Sequence, residues 1–142
     1  METIALVAWI VTVLTGLALA ALWGRGGGMR QPQDESEGQG KPGISIPLLV
    51  PHALLAIAGL VIWAVFMTRD DSRGMSYTPG FTVGALVIVI ALGFAMFRRW
   101  MLAGRDREVG GEAERRMPVS LVAFHGIAAA ATFAFVVLTI FD

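Results

Sequence analysis

The chain of 142 residues contains no cysteine, and only 15% of its residues are charged. Without cysteine there are no disulfides, thiolate metal sites, cysteine-ligated iron–sulfur clusters or cysteine nucleophiles. The formal net charge is zero, which removes the electrostatic basis for nucleic-acid binding. No acidic residue lies inside any of the long apolar runs. This absence argues against a proton or drug antiporter that works through a carboxylate within the membrane.

Hydrophobic residues make up 56% of the chain and gather in four long runs. The runs span about 4–23, 45–67, 81–100 and 117–141. Each reaches the roughly 20 residues that an α-helix needs to cross the hydrocarbon of a bilayer. Backbone polar groups in lipid are satisfied only within helices or closed barrels. We therefore predict an all-α fold: a single integral membrane domain over 1–142, built as an antiparallel four-helix bundle.

The connections between the runs are polar. Residues 24–43 are rich in glycine and carry charges of both signs, a composition that predicts a flexible loop. In 101–116 the charges alternate in sign, which is typical of a solvated segment or a short surface helix. The first run reaches Trp23, has no basic residue before it and is followed by arginines. We interpret it as a spanning helix rather than a cleaved signal peptide.

Basic residues predict which side each connection faces. Lysine and arginine concentrate in the first and third connections and at the helix ends beside them, whereas the second connection has two arginines. The positive-inside rule then places the first and third connections in the cytoplasm and both termini outside. A composition rich in glycine, alanine and arginine is typical of bacteria with GC-rich genomes, so we expect a multi-pass protein of the bacterial cytoplasmic membrane.

The tryptophans agree with this orientation. Trp23 and Trp100 lie at the inner ends of their runs, and Trp9 and Trp63 lie nearer the outer ends. Tryptophan is enriched at both interfaces of a membrane, where its ring sits at the level of the headgroups. The sequence therefore predicts aromatic belts at the two interfaces.

The only two histidines, His52 and His125, lie inside the second and fourth runs. They come seven residues after Ser45 and eight residues after Met117, which is roughly 10 and 12 Å along helices that rise ~1.5 Å per residue. The two runs enter from the same side, so their helices are parallel and the imidazoles lie at nearly the same depth. Two imidazoles placed in this way suit the axial ligation of one haem iron. With no carboxylate nearby, they make a poor zinc site.

Small residues accompany each histidine on its own helix. They are Ala56 and Gly59 after His52, and Gly126, Ala129 and Thr132 after His125. Small faces leave room for a flat macrocycle, but they also permit close packing of helices without any ligand. The second and fourth runs each have a proline near the start and a histidine about two turns in, which is consistent with a duplication of two helical hairpins.

Arginines at the inner helix ends add a second indication. Arg98 and Arg99 end the third run, and Arg116 comes just before the fourth. Haem propionates directed inward would meet these cations at the interface. The simpler interpretation is that they anchor the helix ends, as basic residues do in most membrane proteins.

The segments VPHA at 50–53 and AFHG at 123–126, set in parallel helices, resemble small four-helix b-type membrane cytochromes and the cytochrome membrane anchors of quinone-linked complexes. The resemblance covers the architecture of the whole chain and rests on the histidine pair. It implies a protein that binds haem b and takes part in electron transfer. Its partner would be a quinone, another membrane or redox subunit, or a second copy of the chain. Such families often hold two haems through four histidines, whereas this chain has ligands for one.

Two other functions stay open at this point. The first is a small structural or assembly subunit of a membrane complex, with no cofactor. The second is a four-helix bundle that binds a quinone or another small molecule through a single histidine. The sequence assigns no catalytic residue, so it does not decide whether the protein is an enzyme.

The predicted orientation can be tested by labelling. Because the chain has no native cysteine, a cysteine introduced at Gln39 or at Ser76 is the only thiol. On intact cells, a membrane-impermeant maleimide should label Ser76→Cys, and it should label Gln39→Cys only after lysis. Labelling of Gln39→Cys on intact cells would contradict the orientation.

Overall fold

A computed structural model describes residues 1–30, 43–68, 78–105 and 112–141. These residues form five α-helices and a single 3-10 turn, Gly28–Arg30. The helices are α1 (Glu2–Arg25), α2 (Ile46–Met67), α3 (Thr78–Arg105), α4 (Glu112–Arg115) and α5 (Val119–Phe141). Helices α1, α2, α3 and α5 are long and apolar enough to cross a membrane. The predicted all-α architecture is confirmed, and it fits a multi-pass membrane protein.

The four long helices form a bundle in which each has two neighbours. Helix α1 packs against α5 and α2, and α3 packs against the same two helices. The order around the bundle is therefore α1, α5, α3, α2. In this arrangement α2 lies diagonally across from α5, and α1 lies diagonally across from α3.

Two buried apolar clusters occupy the two ends of the bundle. We name them outer and inner after the predicted orientation. The outer cluster combines the starts of α1 and α3 with the ends of α2 and α5, and its buried members are Ala5, Trp9, Trp63, Leu86 and Val136. The buried members of the inner cluster are Leu19, Trp23, Ala113 and Met117. Helix starts meet helix ends in both clusters, so helices that follow one another along the chain run antiparallel.

The first connection is more ordered at its start than predicted. Helix α1 continues through Arg25, and the backbone N–H of Gly26 closes it on the carbonyl of Leu22 at 2.9 Å. Gly27 then takes a φ of +93°, a conformation that glycine adopts without steric cost. The prediction of a flexible loop from residue 24 is therefore wrong for 24–30. The rest of that prediction, 31–42, lies outside the described residues.

The bounds of the last two long helices also differ from the predicted runs. Helix α3 continues five residues past Trp100, to Arg105, because arginine and leucine extend a helix readily beyond the apolar run. Helix α5 begins at Val119 rather than at 117. The carbonyl of Pro118 accepts the first helical N–H bonds, from Leu121 and Val122 at 3.1 Å each, so the proline stands where its missing donor is harmless.

Three of the four tryptophans face the interior of the bundle. Trp9, Trp23 and Trp63 are 2%, 2% and 1% exposed, so the predicted aromatic belt is wrong for them. The indole N–H of Trp9 donates to the carbonyl of Ala56 at 3.1 Å, and the ring centres of Trp9 and Trp63 lie 6.5 Å apart. A buried indole brings a large apolar surface and one donor that needs a partner.

The third connection holds the short helix α4, which the alternating charges allowed for. It is not a surface helix throughout, because Ala113 and Glu114 at its centre are buried. Glu112 and Arg116 form an exposed ion pair one turn apart. Charge alternation therefore predicts the exposed face of α4 but not the buried one.

Gly59 allows α1 and α2 to approach each other closely. A Cβ at this position would lie 2.7 Å from Cζ2 of Trp9, whose ring is buried and cannot move aside. Gly59→Ala should therefore lower the thermal stability in detergent, by about 1–3 kcal/mol in free energy of unfolding. Gly84→Ala is the matched control, because a Cβ there meets nothing within 4 Å and both changes gain the same helix propensity. Equal stability of the two variants would contradict this packing.

Candidate functional site

His52 lies in the second turn of α2 and points into the bundle, toward α3. Its Nδ1 is 2.9 Å from the backbone carbonyl oxygen of Val89. A carbonyl oxygen only accepts hydrogen bonds, so Nδ1 carries the proton and donates it. Pro51, directly before His52, lies inside the helix and removes one backbone donor from this turn.

His125 makes the equivalent bond from α5 to α1. Its Nδ1 lies 3.1 Å from the carbonyl oxygen of Thr12 and 3.1 Å from the hydroxyl of Thr15. The Thr15 hydroxyl is itself within 2.9 Å of the carbonyl of Val11, to which it donates. The N–H at Nδ1 is therefore shared between the Thr12 carbonyl and the Thr15 oxygen.

These bonds select the tautomer of both rings. With the proton on Nδ1, a neutral imidazole keeps its lone pair on Nε2. Within the described parts of the chain, the hydrogen bonds of His52 and His125 run through Nδ1 alone. The ring centres are 6.4 Å apart and the ring planes make an angle of 67°. The predicted match in depth and direction is confirmed, since both imidazoles are half-buried and face each other across the diagonal of the bundle.

Each imidazole lies against a glycine of the neighbouring helix. A Cβ at Gly16 on α1 would lie 3.0 Å from Cε1 of His125, and a Cβ at Gly93 on α3 would lie 3.0 Å from Cε1 of His52. Few side chains tolerate so short a contact. The two glycines therefore let α1 and α3 approach the imidazoles closely. At this distance the backbone carbonyls accept hydrogen bonds from Nδ1 of the two rings.

The two halves of the site repeat the same contacts. In α1 the acceptor carbonyl of Thr12 precedes Gly16 by four residues, and in α3 the carbonyl of Val89 precedes Gly93 by four. Adding 77 to 12 and 16 gives 89 and 93. The symmetry is not complete: 77 positions after Thr15 stands Leu92, which has no hydroxyl, so among the described residues His52 bonds to the Val89 carbonyl alone. This repetition of contacts is what a duplicated pair of hairpins would produce.

The small residues predicted around the histidines have different neighbours. A Cβ at Gly126 would meet nothing within 4 Å among the described residues beyond its chain neighbours. Gly59 packs on Trp9 instead of the site. Thr132 is buried, lies two helical turns after His125, and its hydroxyl is 3.0 Å from that of Thr12. The glycines that border the imidazoles, Gly16 and Gly93, come from α1 and α3.

The arginines proposed as propionate partners lie on the surface at the inner end. Arg98, Arg99 and Arg116 are exposed. Arg99 donates to the hydroxyl of Ser45 at 3.2 Å, and Arg116 pairs with Glu112. The structure brings Arg98 and Arg99 to within two helical turns of Gly93 along α3, whereas Arg116 is held by α4.

Sequence reasoning did not identify Gly16 and Gly93 as parts of the site. Neither glycine lies in a run that contains a histidine, and neither carries a signal alone. A repeated spacing does single them out, since each glycine precedes a tryptophan by seven residues, at Trp23 and Trp100. Residues seven apart lie on nearly the same helix face, so this spacing marks one face on each of two helices.

The donor set of the site is two imidazoles. Among the described residues, no group of three or more His, Asp or Glu side chains could hold a metal ion. No protein-family model, no curated protein and no solved structure matches the chain. The geometry of the histidine pair is therefore the feature of the molecule that points to a function.

The tautomer can be observed directly, because the chain has only two histidines. In haem-free protein labelled with ¹⁵N-histidine, both rings should show a protonated Nδ1 and an unprotonated Nε2. Thr15→Ala should leave this pattern intact, because the Thr12 carbonyl still accepts from His125. A protonated Nε2 on a neutral ring would show that the backbone carbonyls do not orient these side chains.

Proposed function

We propose that the protein binds one haem b between His52 and His125 and takes part in electron transfer in the membrane. The observation that carries the proposal is the facing pair of imidazoles, each with Nδ1 held by a backbone carbonyl. Histidines that ligate a metal almost always donate their other ring N–H in this way, which fixes the ring and raises the basicity of the ligating nitrogen.

The spacing of the rings fits the group. A bond from an imidazole nitrogen to a metal is about 2 Å long, so two such bonds and two half-rings place the ring centres roughly 6 Å apart. The observed separation is 6.4 Å. The diagonal placement of α2 and α5 also helps, because neighbouring helices packed at ~8–10 Å would leave no space between two imidazoles.

The lone pairs on the two Nε2 atoms give the arrangement a physical reason. With Nδ1 protonated on both rings, each Nε2 is a hydrogen-bond acceptor, so the two Nε2 atoms cannot satisfy each other. An electron-pair acceptor placed between them would satisfy both, and haem iron is one that needs only two protein ligands.

Each part of the site would have its own role. His52 and His125 would hold the haem, the carbonyls of Val89 and Thr12 orient the two rings, and Gly16 and Gly93 let the backbones of α1 and α3 lie against them. Haem held by two imidazoles would supply a one-electron couple and favour electron transfer over oxygen chemistry.

The membrane setting completes the proposal. Exposed residues on the four long helices are largely apolar, as expected for contact with lipid. We place the protein in the bacterial cytoplasmic membrane with both termini outside, because of its inward-facing basic connections. Its partner in electron transfer is a quinone, another redox subunit or a second copy of the chain. Arg98 and Arg99 are candidates to receive the propionates at the inner interface.

The visible absorption spectrum tests the proposal. Protein expressed with ample haem should show a Soret band and, after dithionite, the sharp bands of a low-spin b-type haem. His52→Ala or His125→Ala should abolish this spectrum or convert it to high-spin, because each change removes one axial ligand. Helix insertion should survive, since alanine is compatible with a membrane helix.

The controls separate ligation from general damage. Gly126→Ala alters the residue next to His125 at a position open on all sides, and it should keep the wild-type spectrum. Arg99→Gln should keep the haem and at most shift its potential. If wild-type protein with ample haem shows no Soret band, the haem proposal is wrong, and a structural subunit without a cofactor takes its place.

A further inference from the structure

Glu114 connects α1, α3 and the residues just before α2 at the inner end of the bundle. It is 1% exposed, although it belongs to a four-residue helix in a charged connection. Its Oε1 accepts from the indole N–H of Trp23 at 2.9 Å and from the backbone N–H of Ile44 at 2.9 Å. Its backbone carbonyl accepts from the indole N–H of Trp100 at 3.1 Å.

The two tryptophans stand at equivalent places in α1 and α3. Trp23 follows Gly16 by seven residues and Trp100 follows Gly93 by seven. The faces that carry the glycines against the imidazoles therefore also carry the indoles bound to Glu114. From these juxtaposed contacts we infer that Glu114 is a positioning residue for the histidine pair, fixing the distance between α1 and α3 at the inner end.

The positions of α1 and α3 in the bundle explain why a connection between them matters. We call the bonds from Trp23 and Trp100 to Glu114 the tie. Helices α1 and α3 lie diagonally, each packed on α2 and α5, so their separation is not set by direct contact along their lengths. That separation determines where the carbonyls of Thr12 and Val89 hold the two rings. Without the bonds of Glu114, only packing on α2 and α5 limits the separation of α1 and α3 at the inner end, and a wider separation would shift the imidazoles.

The two oxygens of Glu114 are not equivalent. Oε1 accepts two hydrogen bonds, while Oε2 is buried and has no partner among the described residues. A glutamine with its amide oxygen in the place of Oε1 keeps every bond of the tie. Glu114→Gln therefore preserves the side-chain acceptor for Trp23 and Ile44, whereas Glu114→Ala removes it.

The spectroscopic arm of the test rests on the proposed haem function. In haem-loaded full-length protein, Glu114→Ala should convert part of the low-spin spectrum to high-spin, since one ring is then held less well. Glu114→Gln should match wild type. Glu112→Ala is the control, because it removes an exposed carboxylate of the same helix, which forms an ion pair with Arg116 at the surface, and it should leave the spectrum unchanged.

A second arm needs no haem. The chain has no cysteine, so spin labels can be placed at Ala21→Cys and Met101→Cys, two exposed positions at the inner ends of α1 and α3. In haem-free protein, Glu114→Ala should lengthen or broaden the measured distance between the labels, and Glu114→Gln should not. Labels at Val7→Cys and Phe81→Cys, at the outer ends, should show no change.

Milder variants cover the case in which Glu114→Ala does not fold. Trp23→Phe and Trp100→Phe each remove one donor to Glu114 and should shift the inner distance in part. Trp63→Phe is their control, because the indole N–H of Trp63 is buried and has no hydrogen-bond partner in the described part of the chain, so no bond seen there is lost.

The outcomes separate this inference from the proposed function. An unchanged inner distance in Glu114→Ala, or a Glu114→Gln variant that behaves like Glu114→Ala, would overturn the positioning role even if haem binds. A wild-type protein that binds no haem but whose inner distance responds to Glu114→Ala and not to Glu114→Gln would overturn the haem proposal and support the tie.

Discussion

The hydrogen bond from each imidazole Nδ1 to a backbone carbonyl of the neighbouring helix is the contact on which the site depends. A carbonyl in a regular helix already accepts one N–H bond, and its second lone pair is available to a side chain. His52 and His125 use that lone pair on α3 and α1. This hydrogen bond turns the ring into the bundle and selects its tautomer. Because it joins two helices, their register sets the depth of the ring.

This contact imposes a demand on the helix that accepts it. An imidazole can reach a helical carbonyl only if nothing projects from the turn that follows it, and both acceptor helices have a glycine there, Gly16 and Gly93. Large buried side chains are correspondingly placed away from the histidine layer. Trp9 and Trp63 fill the outer cluster and Trp23 the inner cluster, so packing at the two ends supports a middle layer that small residues keep narrow.

The sequence predicts the framework of this molecule better than its contacts. Four apolar runs of sufficient length, with no charge in their interiors, predict four spanning helices, because the backbone in a bilayer must satisfy its own polar groups. The depth of His52 and His125 follows from counting residues along two parallel helices. The direction in which side chains point does not follow, because the runs are apolar on every side and the periodicity that would mark a buried face is absent.

Because the apolar runs do not show which face is buried, the predicted surroundings of the tryptophans and of Glu114 are wrong. Trp9 and Trp63 were expected at the lipid interface, since tryptophan is common there, but Gly59 and the Ala56 carbonyl give Trp9 a partner in the bundle. Glu114 was expected in a solvated connection, since it lies among alternating charges. Its burial depends on Trp23 and Trp100, which lie far from it in sequence and have donors that only the folded bundle brings to it.

The departure from symmetry gives the two rings different surroundings. His52 donates to one carbonyl at 2.9 Å, whereas His125 shares its proton between a carbonyl and a hydroxyl at 3.1 Å each. The hydroxyl that shares this proton belongs to Thr15, and the residue 77 positions later is Leu92. The hydroxyl of Thr12 also bonds to that of Thr132, whereas the residue 77 positions after Thr12 is Val89. The two imidazoles therefore have different hydrogen-bond partners although the backbone contacts repeat, and the polar side of the site lies along the interface of α1 and α5.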